Sequence, residues 1–328
     1  MANVKPLVSI IIPCYNLQGY IETCINSCLV QSYNNIEIVV VNDGSTDATK
    51  GIIENYAFID QRIILIHKNN EGVAQARRYG ILAASGDYLL FLDGDDALEI
   101  NAIDNLLKEL LISEADIVKG EYLFETVDGY EVHKYQRYGT YDSKTFLKQI
   151  LKERLFTICG ILFSRHLFAE QLDYQKGIKR GEDATLLALL VCKAFKVVVL
   201  EKTVFYYRLR QGSITHSISF SNFGDAILSR FKIEAYALKA GLDKEKDFEL
   251  AEFVCFSLVL YLQYAHAAPE IGKQLIKNKI AEYLICNYSF KEWYSGQYKK
   301  NYLRLKFFYR WELSNSAFEF IYKYKLVS

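Results

Sequence analysis

Asp93, Asp95 and Asp96 place three carboxylates within four residues. The run before them, Tyr88-Leu89-Leu90-Phe91-Leu92, is apolar and reads as a buried strand that ends in acid. Like charges so close repel one another, and a fold that gathers them needs a counter-charge. Carboxylate oxygens are hard ligands suited to Mg²⁺ or Mn²⁺, ions that usually bridge one or two carboxylates to substrate phosphates. Gly94 puts no side chain between two of the acids and leaves room for a ligand against the backbone. The same residues would also serve as a solvated turn that caps the next helix. Short acidic motifs match by chance so readily that this one gains weight only from its setting.

That setting is a run of alternating strands and helices. Leu7–Ile12 is an apolar, β-branched strand stopped by Pro13 and followed by Cys14-Tyr15-Asn16. Ile21, Cys24, Ile25, Cys28 and Leu29 recur at helical spacing, predicting a helix over Tyr20–Gln31. Strand Ile36–Val41 ends in Asn42-Asp43-Gly44-Ser45-Thr46-Asp47, whose last residues can cap a helix reaching Tyr56. Strand Arg62–His67, a helix over Glu71–Ala84 carrying Arg77 and Arg78, and strand Tyr88–Leu92 complete the series. Such alternation predicts a parallel sheet joined by right-handed crossovers, with ligands bound beyond the carboxyl ends of its strands. Asn16, Asp43, Asp93 and Asp95 therefore converge by topology. No G-x-G-x-x-G or Walker A sequence follows the first strand, so a glycine loop does not cradle phosphate there. That work falls to a metal on the acidic cluster.

Beyond about residue 117 the pattern changes. Asp128-Gly129 between Tyr122–Thr126 and Glu131–Tyr138 signals a hairpin. A helix over Phe146–Leu151 and a strand over Thr157–Phe163 follow. A second helix opens at Lys179-Arg180-Gly181-Glu182-Asp183 and runs to about Phe195, before two strands, Lys196–Leu200 and Val204–Arg208. From Asn222 onward the text is helical.

Hydrophobic residues make up 51% of the 328, enough to bury a large core. Lys+Arg 39 balances Asp+Glu 39, which argues against a nucleic-acid binder. The aromatic share of 14% suits stacking on sugar rings. Seven cysteines without a C-x-x-C pair read as buried thiols in a reducing compartment. The start of the chain does not read as a signal peptide, and the longest apolar run, Phe253–Leu262, is too short to span a bilayer. A cytoplasmic location is expected.

Five segments in order resemble the family 2 glycosyltransferases, inverting nucleotide-sugar transferases of GT-A fold. They are Val8-Ser9-Ile10-Ile11-Ile12-Pro13-Cys14-Tyr15-Asn16, Val41-Asn42-Asp43-Gly44-Ser45-Thr46-Asp47, Asn70 to Arg77 with Gly80, Asp93-Gly94-Asp95-Asp96, and Gly181-Glu182-Asp183. The loop Gly212-Ser213-Ile214-Thr215-His216 is similar to that of bacterial members. Arg78 departs from the pattern, since many members carry Asn there. The resemblance implies an α/β fold: a mostly parallel sheet flanked by helices, then a C-terminal helical region. The catalytic domain would be residues 1–217, with a nucleotide-binding half (1–116) and an acceptor half (117–217), and the helical region 218–328.

The resemblance also implies the roles. Asp43 would accept from the uracil N–H, with Pro13, Tyr15 and Asn16 shaping the base pocket. Arg77 would neutralise charge near the nucleotide. Asp93 would bind ribose, and Asp95 with Asp93 would hold Mn²⁺ or Mg²⁺, with Gly94 between them and His216 touching the diphosphate or the metal. Asp183 would be the base that takes the acceptor proton, with Glu182 as competitor. The expected substrates are a UDP-sugar donor and a glycan or lipid-linked saccharide acceptor, in surface polysaccharide synthesis. A sugar-nucleotide nucleotidyltransferase would need a Gly-rich, Arg-containing loop after the first strand, where Pro13-Cys14-Tyr15-Asn16 stands instead. A non-catalytic nucleotide- or glycan-binding module would not need Asp93, Asp95 and Asp183 together. Residues 291–328 hold eight basic and three acidic residues interleaved with aromatics. They fit either peripheral contact with the inner face of a membrane or a helix packed on the catalytic domain with a basic outer face.

Overall fold

The computed structural model describes residues 5–126, 129–135, 137–169, 181–209, 221–243, 247, 249, 250 and 253. His216, the 291–328 segment, Cys255 and Cys286 lie outside the described residues. The chain divides into two compact units, residues 1–146 with 156–218 and residues 147–155 with 219–328.

The first unit is built on a ten-stranded sheet. β1 (Val8–Cys14), β2 (Ile36–Asp43), β3 (Ile63–Lys68) and β4 (Tyr88–Phe91) lie in the order β3-β2-β1-β4, all parallel. β1 and β2 are buried along their whole length, as expected of apolar strands covered on both faces. α1 (Ile21–Leu29), α2 (Thr49–Ile59) and α3 (Val73–Ala83) supply the crossovers. α1 buries Ile21, Cys24, Ile25 and Cys28, the stripe read from the sequence. α3 rides on β1 at Gly80, where a Cβ would stand 2.4 Å from Ile11 Cγ2. That close seat drives Arg77, one turn earlier, into the interior.

The second half of the sheet is mixed. Two-residue β5 (Ala97–Leu98) precedes α4 (Ala102–Ser113), β6 (Ile117–Thr126), β7 (Gly129–His133), β8 (Gly139–Asp142), β9 (Ile161–Ser164) and β10 (Lys196–Tyr207). The order continues β4-β9-β6-β10-β5, with β7 on β6 and β8 on β10. β9 runs antiparallel to both β4 and β6, so β6 runs with β4, and β10 is parallel to β6. The carboxyl ends of β1, β2, β4, β6 and β10 thus share one edge. The hairpin at Gly129 is present, with φ +130° at that glycine. The two strands predicted over 196–208 are one, β10. Its register shifts between Val199 and Thr203, which lets polar Glu201 and Lys202 loop outward while the ladder resumes beyond them. The strand predicted over Thr157–Phe163 is confined to β9, because Gly160 takes φ +67° just before it.

The second unit includes most of α5 (Ser143–Glu153) and α7 (Ser221–Lys239). Within it Lys148 pairs with Asp247, and Arg230 lies 5.3 Å from the Phe253 ring centre. Cys14, Cys24, Cys28, Cys159 and Cys192 are free thiols, the first four buried. No described helix is long and apolar enough to cross a membrane.

Candidate active site

The loops after β1 and β2 are tied to each other. Asn16 takes a left-handed φ of +52°, its backbone N–H donates to Ser45 Oγ (3.0 Å), and its Oδ1 accepts from Thr46 N–H (2.8 Å). Asn enters that conformation at less cost than most residues. Pro13 is buried and pairs across the ladder with Val41, whereas the Tyr15 side chain is open to solvent.

Asp43, at the end of β2, is buried. Its Oδ1 accepts from Lys68 Nζ (2.5 Å) and Glu71 N–H (3.0 Å), and its Oδ2 from Gly72 N–H (2.8 Å). The carboxylate therefore fastens the start of α3, where unsatisfied N–H groups and the helix dipole favour an anion. Three of its acceptor positions are taken by the protein itself, with one left for a further donor.

The acidic loop after β4 is held from α1. Cys24 Sγ lies 3.6 Å from the Asp93 carbonyl oxygen, and a Cβ on Gly94 would stand 2.8 Å from Leu17 Cδ1 and 3.2 Å from Ile21 Cδ1. Gly94 thus lets the loop close onto α1; the room it leaves is filled by Leu17 and Ile21. Asp93 and Asp95 are half-buried and Asp96 is buried. Asp96 Oδ1 accepts from Arg208 N–H (3.0 Å), while its buried Oδ2 has no hydrogen-bond partner among the described residues. Burial, with Asp93 and Asp95 nearby, pushes the Asp96 carboxyl well above the usual range. Ligand atoms of Asp93, Asp96 and Cys159 all lie within 4.8 Å of one another.

α6 (Glu182–Lys193) brings the second pair of acids to its first turn, behind Gly181 at φ +83°. Arg77 joins the two acidic groups. Its guanidinium is 1% exposed, with Nη2 donating to Asp93 Oδ1 (2.8 Å) and Nη1 donating to Asp183 Oδ1. Glu182 Oε1 is 3.6 Å from the same Nη1. Burial raises the Asp183 carboxyl to about 8 against the lowering effect of Arg77, with Glu182 and Asp93 adding to the rise. Burial also raises Glu182. Arg77 is thus a buried counter-charge locked beneath the acids, not a residue on a solvated helix face.

The fold gathers Asp93, Asp95, Asp96, Arg77, Glu182 and Asp183 in one place, with Asn16 and Asp43 on the neighbouring strand ends. Cys159 and the internal engagement of Asp96 were not foreseen. The signal at Cys159 was only the glycine after it. A negative cluster with an unpartnered buried carboxylate oxygen is suited to a divalent cation.

The model for glycosyl transferase family 2 matches residues 9–172. EpsJ of Bacillus subtilis, named an uncharacterized glycosyltransferase, is 31% identical over 295 residues, covering 85% of this chain and 83% of EpsJ. This chain belongs to glycosyl transferase family 2. GlyA of Streptococcus pneumoniae, a glycosyltransferase, is 34% identical over 65% of this chain, which spans 32% of GlyA. The crystal structure of S. aureus TarS 1–349 matches with TM-score 0.69 at 18% identity, covering 98% of this chain and 92% of that chain. TarS 1–349 in complex with UDP-GlcNAc matches with TM-score 0.66 at 21% identity, covering 93% and 92%. The fold is GT-A, and the family 2 protein is a glycosyltransferase.

Proposed function

We propose that the protein transfers a sugar from a UDP-sugar to a glycan or lipid-linked saccharide, inverting the anomeric carbon, as a step in building a bacterial surface polysaccharide. One observation carries the reading: a single buried guanidinium grips both Asp93 and Asp183, one from the nucleotide half and one from the acceptor half. Kinship supports the rest. The relative TuaG of Bacillus subtilis is named for teichuronic acid biosynthesis, and TarS has been crystallised with UDP and UDP-GlcNAc.

Inverting transfer is one in-line displacement, so it needs a base for the acceptor proton and help for the leaving diphosphate, but no covalent nucleophile. Asp183 Oδ is the base. With its carboxyl near pH 8 it is basic enough to draw a proton from a hydroxyl as the C–O bond forms. Arg77 fixes its direction, and Glu182 holds its basicity up. Asp93 and Asp95, with Asp96 behind them, would hold Mn²⁺ or Mg²⁺; the buried Asp96 oxygen without a partner fits such a guest. That ion would supply charge stabilisation for the departing diphosphate. Pro13, Tyr15, Asn16 and Asp43 would bound the nucleoside, and the family resemblance alone assigns His216, outside the described residues, to the diphosphate.

Release of UDP from UDP-GlcNAc and other UDP-sugars tests the reading. Asp183→Asn should cut turnover by about 10²–10⁴-fold while UDP binding persists. Full turnover in the variant would refute the assignment of the base, and tight UDP binding with no release from any donor would favour a binding module. In this reading the protein would work at the cytoplasmic face, with the basic, aromatic 291–328 segment either touching anionic membrane or packing on the catalytic domain. Co-sedimentation with phosphatidylglycerol vesicles should fall on truncation at 290; an unchanged pellet would remove that contact.

A further inference from the structure

The sheet changes character where β6, β7 and β10 reach the carboxyl edge. Ile117, Val118 and Val197–Val199 are aliphatic and buried; past them Tyr122, Phe124, Tyr206 and Tyr207 are aromatic and half-exposed, with Phe205 buried among them. Tyr122 faces Phe205 and His133 across the ladder, and Phe124 faces Tyr207. Cross-strand partners share a face of the sheet, so these side chains form one surface. Tyr122 stacks on His133 (4.5 Å between ring centres) and on Phe205 (5.0 Å), and Phe124 stacks on Tyr207 (5.3 Å).

This surface is continuous with the site. The Phe205 ring lies where a side chain on Gly160 would be, next to Cys159 of the acidic cluster. The residue after Tyr207 donates its N–H to Asp96. In strand order the acids of β4 stand between the nucleotide strands β1 to β3 on one side and the aromatic strands on the other. A buried core does not require aromatic rings left half in water, whereas a saccharide does reward them. Its C–H faces lie flat on a ring, and its hydroxyls find the polar tips. Burial and Tyr207 push the Tyr122 hydroxyl up to about 12, so it stays a neutral donor.

We propose that Phe124 and Tyr207, braced by the Tyr122 ring that is itself stacked between His133 and Phe205, form the stacking platform on which a pyranose ring of the saccharide acceptor lies. The inference rests on the transferase reading above and names its acceptor subsite. Its occupant is a sugar rather than the lipid of a lipid-linked acceptor, because the strip is polar-tipped and aromatic.

Saturation-transfer NMR on the full chain with UDP and Mn²⁺ tests this. The probes are methyl β-glycosides of glucose, galactose and their N-acetylamino forms. Transfer is expected to the C–H protons on one face of at least one glycoside. Phe124→Ala and Tyr207→Ala should each weaken it about fivefold, and Tyr207→Phe should retain it within about twofold. UDP affinity by calorimetry should hold in all three. The inference is overturned if no glycoside receives saturation, if the alanine variants match wild type, or if they lose UDP affinity as well. A wild type that binds no UDP would overturn the transferase reading, and this platform with it.

Discussion

The Arg77 guanidinium is almost wholly buried and faces Asp93, Asp183 and Glu182. Removing one partner of a buried ionic cluster strands the others, so Arg77→Met should cost about 3 kcal/mol, read from urea unfolding. A loss below about 1 kcal/mol would mean that water relieves the acids. As the proposed base Asp183 would act deprotonated, and its carboxyl is raised to about 8. The pH profile of kcat/KM should therefore show an acid limb near 8, with activity falling below it. Glu182→Gln removes a charge that raises Asp183 and should move the limb to lower pH; a limb that moves up would reverse the assignment. The motif residues were legible from type and order. The convergence of Asn16, Asp43, Asp93 and Asp95 was legible from the strand ends, but the grip of Arg77 on Asp183 was not, because the two are 106 residues apart and nothing local links them. Cys159 lacked a motif altogether.

At the scale of elements, α3 matters because it delivers Arg77. Gly80 allows its approach to β1, and Gly80→Ala would press on Ile11 from 2.4 Å. Overpacking of this kind costs about 1–3 kcal/mol and should shift α3 outward. Stability and kcat should fall together, and a variant with unchanged kcat would uncouple α3 from catalysis. β1 to β4 and α1 to α3 were legible because continuous apolar runs and helical stripes fix their type. β10 was misread as two strands, since periodicity cannot tell a bulge from a loop at Glu201-Lys202. β5 is two residues long and has no pattern to read.

For the molecule as a whole, the parallel half of the sheet was legible because crossovers dictate where its strands end, and the proposed nucleotide site lies at that carboxyl edge. The mixed half was less legible, since β9 reverses direction between β4 and β6 and only tertiary pairing decides that. The two halves join at the acidic cluster, where a cation and a diphosphate should meet. The most direct test is calorimetric titration of UDP with and without Mn²⁺, on wild type and Asp95→Asn. Asp95 is half-exposed, so its replacement should leave the fold intact. Binding that needs Mn²⁺ and weakens at least about tenfold in the variant is predicted. Binding that ignores Mn²⁺ and is equal in both proteins would contradict the account.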